Sequence, residues 1–239
     1  MLRQSGKQIM VGAAALLVLS ATWLTGVSRA ATILTTPAPV LLSTLVNNDN
    51  ASYTVGDKKF TGFSYLATGD MPPATAVNVA AILDDAGNYG IRFQGAFVDL
   101  PSSAGGSDAL INYMVETTDP LKLISDAHLA GNPTLLGTQG SISVVETFLP
   151  LGQDGEYTMR IFDDESVGQK LTDQTVFAVP VKKLSVQKDI LVIATPQSQT
   201  VTMSFVDQSF SQVTIPEATT MSLALIGLVS TAGMVRRKH

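Results

Sequence analysis

The chain has 239 residues, no cysteine and a formal net charge of −5. Without cysteine, the sequence excludes disulfides, thiol catalysis, iron–sulfur ligation and the usual structural zinc sites. The segment 31–213 has nine Lys and Arg against nineteen Asp and Glu, so it lacks the basic footprint that a nucleic-acid partner would require.

The first thirty residues have the pattern of a secretory signal peptide. Arg3 and Lys7 precede an apolar segment at 9–24, and small residues occupy the two positions that a signal peptidase recognises. We expect cleavage between Ala30 and Ala31, with signal peptidase and the secretion machinery as partners. An uncleaved N-terminal anchor is the alternative.

The body begins with a predicted lead-in strand and loop, because the residues after the signal peptide show no helical stripe. Short segments rich in β-branched and aromatic residues then alternate with Gly, Pro, Asn and Asp turns. The clearest alternation places Ile91, Phe93 and Phe97 on one face of a strand, and Arg92 and Gln94 on the other. The predicted strands are 59–68, 75–83, 91–98, 110–117, 122–129, 141–148, 157–162, 175–179, 184–187, 189–194 and 201–205.

These strands with hairpin-length links, and no convincing helix among them, predict an all-β domain at 31–213. The expected fold is an antiparallel two-sheet sandwich, with a jelly-roll-like topology as one form of it. A barrel is the alternative. The domain is flanked by the signal helix at 1–30 and by a C-terminal transmembrane helix.

The C-terminal tail predicts that transmembrane helix. Residues 218–235 carry no charge, and at about 1.5 Å per residue they span about 27 Å, close to the hydrocarbon thickness of a bilayer. The basic cluster that follows is expected to stay in the cytoplasm, which leaves the body across the membrane. The cluster consists of Arg236, Arg237 and Lys238.

The segment 214–239 resembles the PEP-CTERM sorting signal of Gram-negative bacteria. Ile215, Pro216, Glu217 and Ala218 lie in the motif region 215–219, with Ala218 where the second proline would stand. The resemblance implies that an exosortase, a membrane-embedded sorting enzyme, recognises the motif and releases the body into the envelope or the extracellular space. An ordinary single-pass anchor is the alternative.

His128 is the one histidine of the body, and Asp126 lies two residues before it on the same predicted strand face. An exposed Asp/His pair is the ordinary interpretation, since no third metal ligand is indicated by spacing.

Two acidic loops are weak candidates for a calcium site, because calcium takes oxygen ligands. Neither loop has the spacing of a dedicated calcium loop, so solvated turns are the ordinary interpretation and no metal or other cofactor is predicted. The candidate residues are Asp84, Asp85, Asp163, Asp164 and Glu165.

No catalytic motif occurs in the chain: there is no phosphate loop, no nucleophile elbow and no paired-histidine zinc motif. Trp23 belongs to the signal segment, so the mature body has no tryptophan platform for a sugar ring. The sequence therefore predicts a protein that is not an enzyme.

The terminal signals and the acidic body predict an exported cell-surface or extracellular-matrix protein. It would be anchored in the inner membrane in transit, then reside in the envelope or outside the cell, with an extracellular polysaccharide as a partner. The alternative function is an envelope module that binds a glycan or calcium.

Overall fold

The structure is a computed structural model that describes residues 31–101, 105–152, 154–196 and 198–215. Short 3-10 helices lie at Leu42–Thr44 and Ala74–Ala76, and the rest of the regular structure in these ranges is β-strand. The strands are β1 Thr32–Ile33, β2 Val40–Leu41, β3 Ser52–Val55, β4 Lys58–Thr68, β5 Asn78–Leu83, β6 Tyr89–Asp99, β7 Ser107–Thr117, β8 Lys122–Gly131, β9 Thr134–Gly137, β10 Ser141–Pro150, β11 Tyr157–Asp164, β12 Gly168–Lys170, β13 Thr172–Val181, β14 Lys183–Ile193 and β15 Ser198–Thr214.

The strands of the described ranges form two antiparallel sheets. Sheet A has the order β1-β5-β6-β15-β8-β13, with β2 added to β5 and β9 added to β15. Sheet B has the order β12-β11-β10-β14-β7-β4-β3. Because several sequence neighbours, such as β7 and β8, belong to different sheets, the chain crosses repeatedly between them.

The core lies between the two sheets and follows from the alternation along each strand. In β7, residues at every second position are buried, from Ser107 to Thr117. Tyr113 of sheet B packs against Phe60 and Phe63 of its own sheet and against Phe93 of sheet A, with ring centroids 5.6–6.0 Å apart. Aromatic contacts therefore help to hold the two sheets together.

The predicted all-β class and the two-sheet sandwich are confirmed, and the barrel alternative is not observed in the described residues. Ile91, Phe93 and Phe97 are fully buried as predicted, while Gln94 is exposed. Arg92 differs from its predicted exposed side: it is only 7% exposed, because its guanidinium group lies between Asp207 and Phe205 of β15.

Several of the predicted strands were too short. The segments 184–187 and 189–194 are one strand, β14, since Lys188 points into the core and does not interrupt the pairing. The strand predicted at 201–205 is the middle of β15, and the N–H of Ile215 then donates to the carbonyl of Leu121 at 2.7 Å. The first residue of the predicted sorting motif is thus joined to the sandwich.

Within the described residues, no helix has the length and apolar character needed to cross a bilayer. The predicted signal peptide, including Ala30, and the predicted transmembrane helix at 218–235 lie outside the described residues. So do Pro216, Glu217, Ala218, Arg236, Arg237 and Lys238.

Candidate functional site: a polar pocket on sheet A

A pocket of about 220 Å³ lies on sheet A, where the turn between β5 and β6 meets β8 and β15. It brings together two features that the sequence analysis treated separately, the acidic turn 84–88 and the histidine of β8. Its polar lining residues are Asp84, Asp85, His128, Thr172, Asp207 and Ser209, and its apolar lining includes Ala31, Ile82 and Leu129.

Asp84 holds the turn that forms one wall of the pocket. Its Oδ1 accepts hydrogen bonds from the backbone N–H groups of Ala86 and Asn88, at 2.9 and 2.8 Å. Its Oδ2 accepts from the Asn88 side chain and from the Ser209 hydroxyl, at 3.0 and 2.6 Å. Burial opposes ionisation, but these hydrogen bonds outweigh it and lower the pKa of Asp84. The carboxylate therefore stays charged at the pocket wall.

Asp85, the next residue, is exposed at the mouth of the pocket. The two neighbours thus differ in role. Asp84 supports the turn, whereas Asp85 presents its carboxylate to solvent and to anything that enters the pocket.

His128 lies on the opposite wall with its side chain 30% exposed. Its Nε2 lies 2.9 Å from Oδ1 of Asp126 and 3.0 Å from the hydroxyl of Ser211. The Asp/His pair expected from the sequence is present, although it is partly buried. Both partners contact the same ring nitrogen, which is not the arrangement of a catalytic triad, where acid and nucleophile use different nitrogens.

Asp207, at the floor of the pocket, belongs to a buried ion pair with Arg92. Arg92 donates from Nε and Nη2 to the two carboxylate oxygens of Asp207, at 2.6 and 2.7 Å. The backbone of Ala31 joins this pair, since its N–H donates to Asp207 Oδ2 at 3.3 Å and its carbonyl accepts from Arg92 at 3.4 Å. The predicted signal cleavage site therefore precedes a residue that is packed at the pocket floor.

The second acidic loop forms a turn of its own at the end of β11. Asp163 accepts from the Leu135 N–H at 3.0 Å, and Glu165 accepts from the Gln139 N–H at 2.5 Å. Asp164 accepts from both the N–H and the hydroxyl of Ser166, and these hydrogen bonds lower its pKa. All three side chains thus bind groups of the protein.

In the part of the chain that the structure describes, no three His, Cys, Asp or Glu side chains are placed to hold a metal ion. The five residues considered for calcium lie in two separate places, and four of them accept hydrogen bonds from other groups of the protein.

A carboxylate pair that sequence reasoning missed lies on sheet B, formed by Asp108 of β7 and Asp189 of β14. Partial burial, a hydrogen bond to Asp108 and repulsion from Asp108 raise the pKa of Asp189 to about 6. Neighbouring-strand register brings the two residues together, and spacing along the chain gives no signal of it.

We expect Asp189→Asn to remove a pH dependence of stability. The folded chain binds the Asp189 proton more tightly than the unfolded chain does, so the protonated side chain stabilises the fold. This stabilisation is complete below the unfolded pKa of about 4 and is lost as pH rises through about 6. Urea unfolding at pH 5 and pH 7.5 should show a smaller difference for the variant than for the wild type. An unchanged difference would contradict the shift, and Asp49→Asn in an exposed turn is the control.

Comparison with known proteins identifies no family for the chain. No family model and no curated protein match the chain. Among solved structures it is similar to TmCBM61 in complex with β-1,4-galactotriose, with 12% identity and a TM-score of 0.31 over 62% of this chain and 88% of that one. It is also similar to the enzymatically active domain of tailspike protein 4 of bacteriophage CBA120, with 14% identity and a TM-score of 0.28 over 62% of this chain and 19% of that one. These likenesses are distant, and the function proposed below is argued from the pocket.

Proposed function

We propose that the protein is an exported, non-enzymatic envelope or matrix protein whose β-sandwich binds a saccharide in the pocket on sheet A. The observation that carries this proposal is the convergence of Asp85, His128 and Ser209 around an opening with an apolar side. Pockets that bind small molecules combine apolar walls with a few directed polar groups in this way.

The chemistry of the pocket suits a ligand rich in hydroxyl groups. The exposed carboxylate of Asp85 can accept hydrogen bonds from a ligand. The ring of His128 can donate or accept one, and the Ser209 hydroxyl, which donates to Asp84, can accept one. Asp207 contributes little net charge because Arg92 neutralises it. Two unneutralised carboxylates disfavour an anionic ligand, so we expect a neutral or amino sugar.

The place of this binding follows from the terminal signals. The tail that resembles a PEP-CTERM signal would deliver the sandwich to the cell surface through an exosortase. A saccharide of the envelope, or the polysaccharide of an extracellular matrix, is the ligand that an exported sandwich would meet there. Matrix membership and saccharide binding are then two aspects of one role.

The proposal is tested by a glycan array with the full-length chain in mild detergent, followed by calorimetry with the sugars that bind. Asp85→Asn and His128→Gln should each weaken binding about tenfold, the effect of losing about 1.4 kcal/mol of contact energy. Asp85 is exposed, and a glutamine side chain at 128 can still form a hydrogen bond to Asp126 or Ser211, so thermal unfolding should change little.

Asp49→Asn, which removes an exposed carboxylate from a different turn, is the matched control and should bind like the wild type. Binding that survives both pocket substitutions would locate the saccharide elsewhere. An array with no neutral or amino sugar bound would contradict the proposal and leave a purely structural matrix role.

A further inference from the structure

Four polar side chains meet in the sealed core between the two sheets. Lys188 of β14 and Glu146 of β10 face each other across neighbouring strands of sheet B, and both are 0% exposed. Tyr113 comes from β7 of the same sheet, and Gln208 comes from β15 of sheet A. The Lys188 Nζ lies 2.8 Å from Glu146 Oε1 and 3.5 Å from Gln208 Oε1.

This group is poorly satisfied as a set of ordinary core residues. The two carboxylate oxygens of Glu146 lack a hydrogen-bond partner in good geometry, and so does the hydroxyl of Tyr113. Burial raises the pKa of Glu146 and lowers the pKa of Lys188, so the environment favours the neutral amine and the neutral carboxylic acid. A buried ion pair is usually no more stabilising than apolar residues of the same volume. A contribution to stability therefore does not explain why Lys188 and Glu146 are buried here.

A second buried lysine, Lys58, has similar partners to Lys188 but differs from it in the charge of the neighbouring acid. Lys58 is also buried, and its Nζ contacts both Asp57 and Gln212, another glutamine of β15. There, however, Asp57 also pairs with Lys122 at 3.2 Å, and the two lysines outweigh burial and lower its pKa. Asp57 stays ionised and cannot donate a proton. In the Lys188 group, by contrast, burial raises the pKa of the acid and lowers the pKa of the amine.

We propose that Lys188 and Gln208 form an intramolecular isopeptide bond, with Glu146 as the proton-transfer group. The nucleophile, the carboxamide and the acid that the reaction needs are in contact in a fully buried site, where burial disfavours the charged forms. The bond would join β14 of sheet B to β15 of sheet A.

The reaction balances without an added reagent. Lys188 transfers a proton to Glu146, and the neutral amine then attacks Cδ of Gln208, forming the new C–N bond as the carboxylic acid protonates the carbonyl oxygen. Glu146 next takes a proton from the attacking nitrogen and delivers it to the amide nitrogen of Gln208. The C–N bond to that nitrogen breaks and ammonia leaves. The hydroxyl proton returns to Glu146 as the carbonyl re-forms, so Glu146 ends as the carboxylic acid.

The consequence is a covalent tie in a protein that has no cysteine and so no disulfide. The cross-link closes a loop of 20 residues and restricts the unfolded chain as a disulfide would. An exported protein would gain resistance to unfolding in a compartment without chaperones that use nucleotides.

Mass spectrometry of the full-length chain, denatured and digested with trypsin, tests the proposal. No Lys or Arg lies between Lys188 and Arg236, so the cross-link should block cleavage after Lys188 and remove the free peptide 184–188. The peptide that contains both residues should be lighter by one ammonia, and fragmentation should place the link at Lys188 and Gln208.

Glu146→Gln keeps the shape of the side chain but cannot shuttle the proton, and it should restore both the peptide 184–188 and the missing ammonia. If the Gln variant does not fold, Lys188→Met keeps an unbranched side chain in the core. It also removes the tryptic site at 188, so its peptide 184–236 should have the unmodified mass, with no ammonia lost. A wild-type chain of unmodified mass that releases the peptide 184–188 would overturn the proposal. A cross-link between Lys188 and Glu146, which would lower the mass by one water, would also overturn it. So would a cross-link that forms at Lys58 with loss of ammonia.

Discussion

Replacing Asp207 with Ala is expected to lower the free energy of unfolding by about 3–5 kcal/mol, the loss typical of breaking one side of a buried ion pair. Arg92 is 7% exposed, and its guanidinium group would keep no carboxylate partner. Ala31 would also lose the acceptor of its N–H. If signal peptidase cleaves before Ala31, that N–H becomes a charged amino group, and the loss in the processed chain should be larger.

Urea unfolding followed by far-UV circular dichroism measures this loss. Lys170→Ala removes one partner of an exposed pair with Asp173 and should change stability by less than about 1 kcal/mol. The double variant Arg92→Met with Asp207→Leu should recover much of the stability lost by Asp207→Ala, because no charge is left buried alone. A loss below about 1 kcal/mol for Asp207→Ala would mean that water reaches Arg92.

Gly90→Ala is expected to destabilise the sandwich by about 3 kcal/mol or more, at the upper end of overpacking. Gly90 lies in β6 between β5 and β15, paired with Ile82 and Ser209. An added Cβ would lie 2.0 Å from the carbonyl oxygen of Gln208 and 2.7 Å from the Cα of Ser209. Both are backbone atoms of a paired strand, so the clash can be relieved only by separating β6 from β15.

Thermal unfolding and the yield of folded chain measure this effect. Gly95→Ala in the same strand is the matched control, since its Cβ would first meet a side-chain atom of Val77 at 3.2 Å. That contact can be relieved by a small side-chain shift, and the alanine reduces the entropy of the unfolded chain, so the net change should stay within about 1 kcal/mol. Equal unfolding temperatures for the two variants would contradict the argument from backbone contact.

The alternation of apolar and polar residues was sufficient to predict which side of most strands faces the core. The same alternation also indicated that Lys188 and Glu146 are buried. Val186, Lys188 and Ile190 fall on one face of β14, and Glu146 lies between Val144 and Phe148 on β10 in the same way. A charged residue that alternates together with apolar neighbours is expected in the core, but the predicted strands 184–187 and 189–194 leave Lys188 between them.

The pocket could not be predicted in the same manner. Asp84, His128 and Ser209 come from three strands or their turns, and each has an ordinary local interpretation as a turn acid, a surface histidine or a strand serine. They meet because β15 lies between β6 and β8 in sheet A, a pairing between segments far apart in the chain. Strand order of this kind depends on long-range contacts that a local pattern does not contain.

The sequence by itself determined the all-β class, the inward faces and the acidic charge of the body, because these depend on residue type and on the period of two along a strand. The tertiary structure alone decided that Arg92 is buried against Asp207, that Ala31 lies at a pocket floor, and that Lys188 meets Gln208. Each of these contacts joins residues from different strands, so its energy depends on which strands become neighbours and in which register.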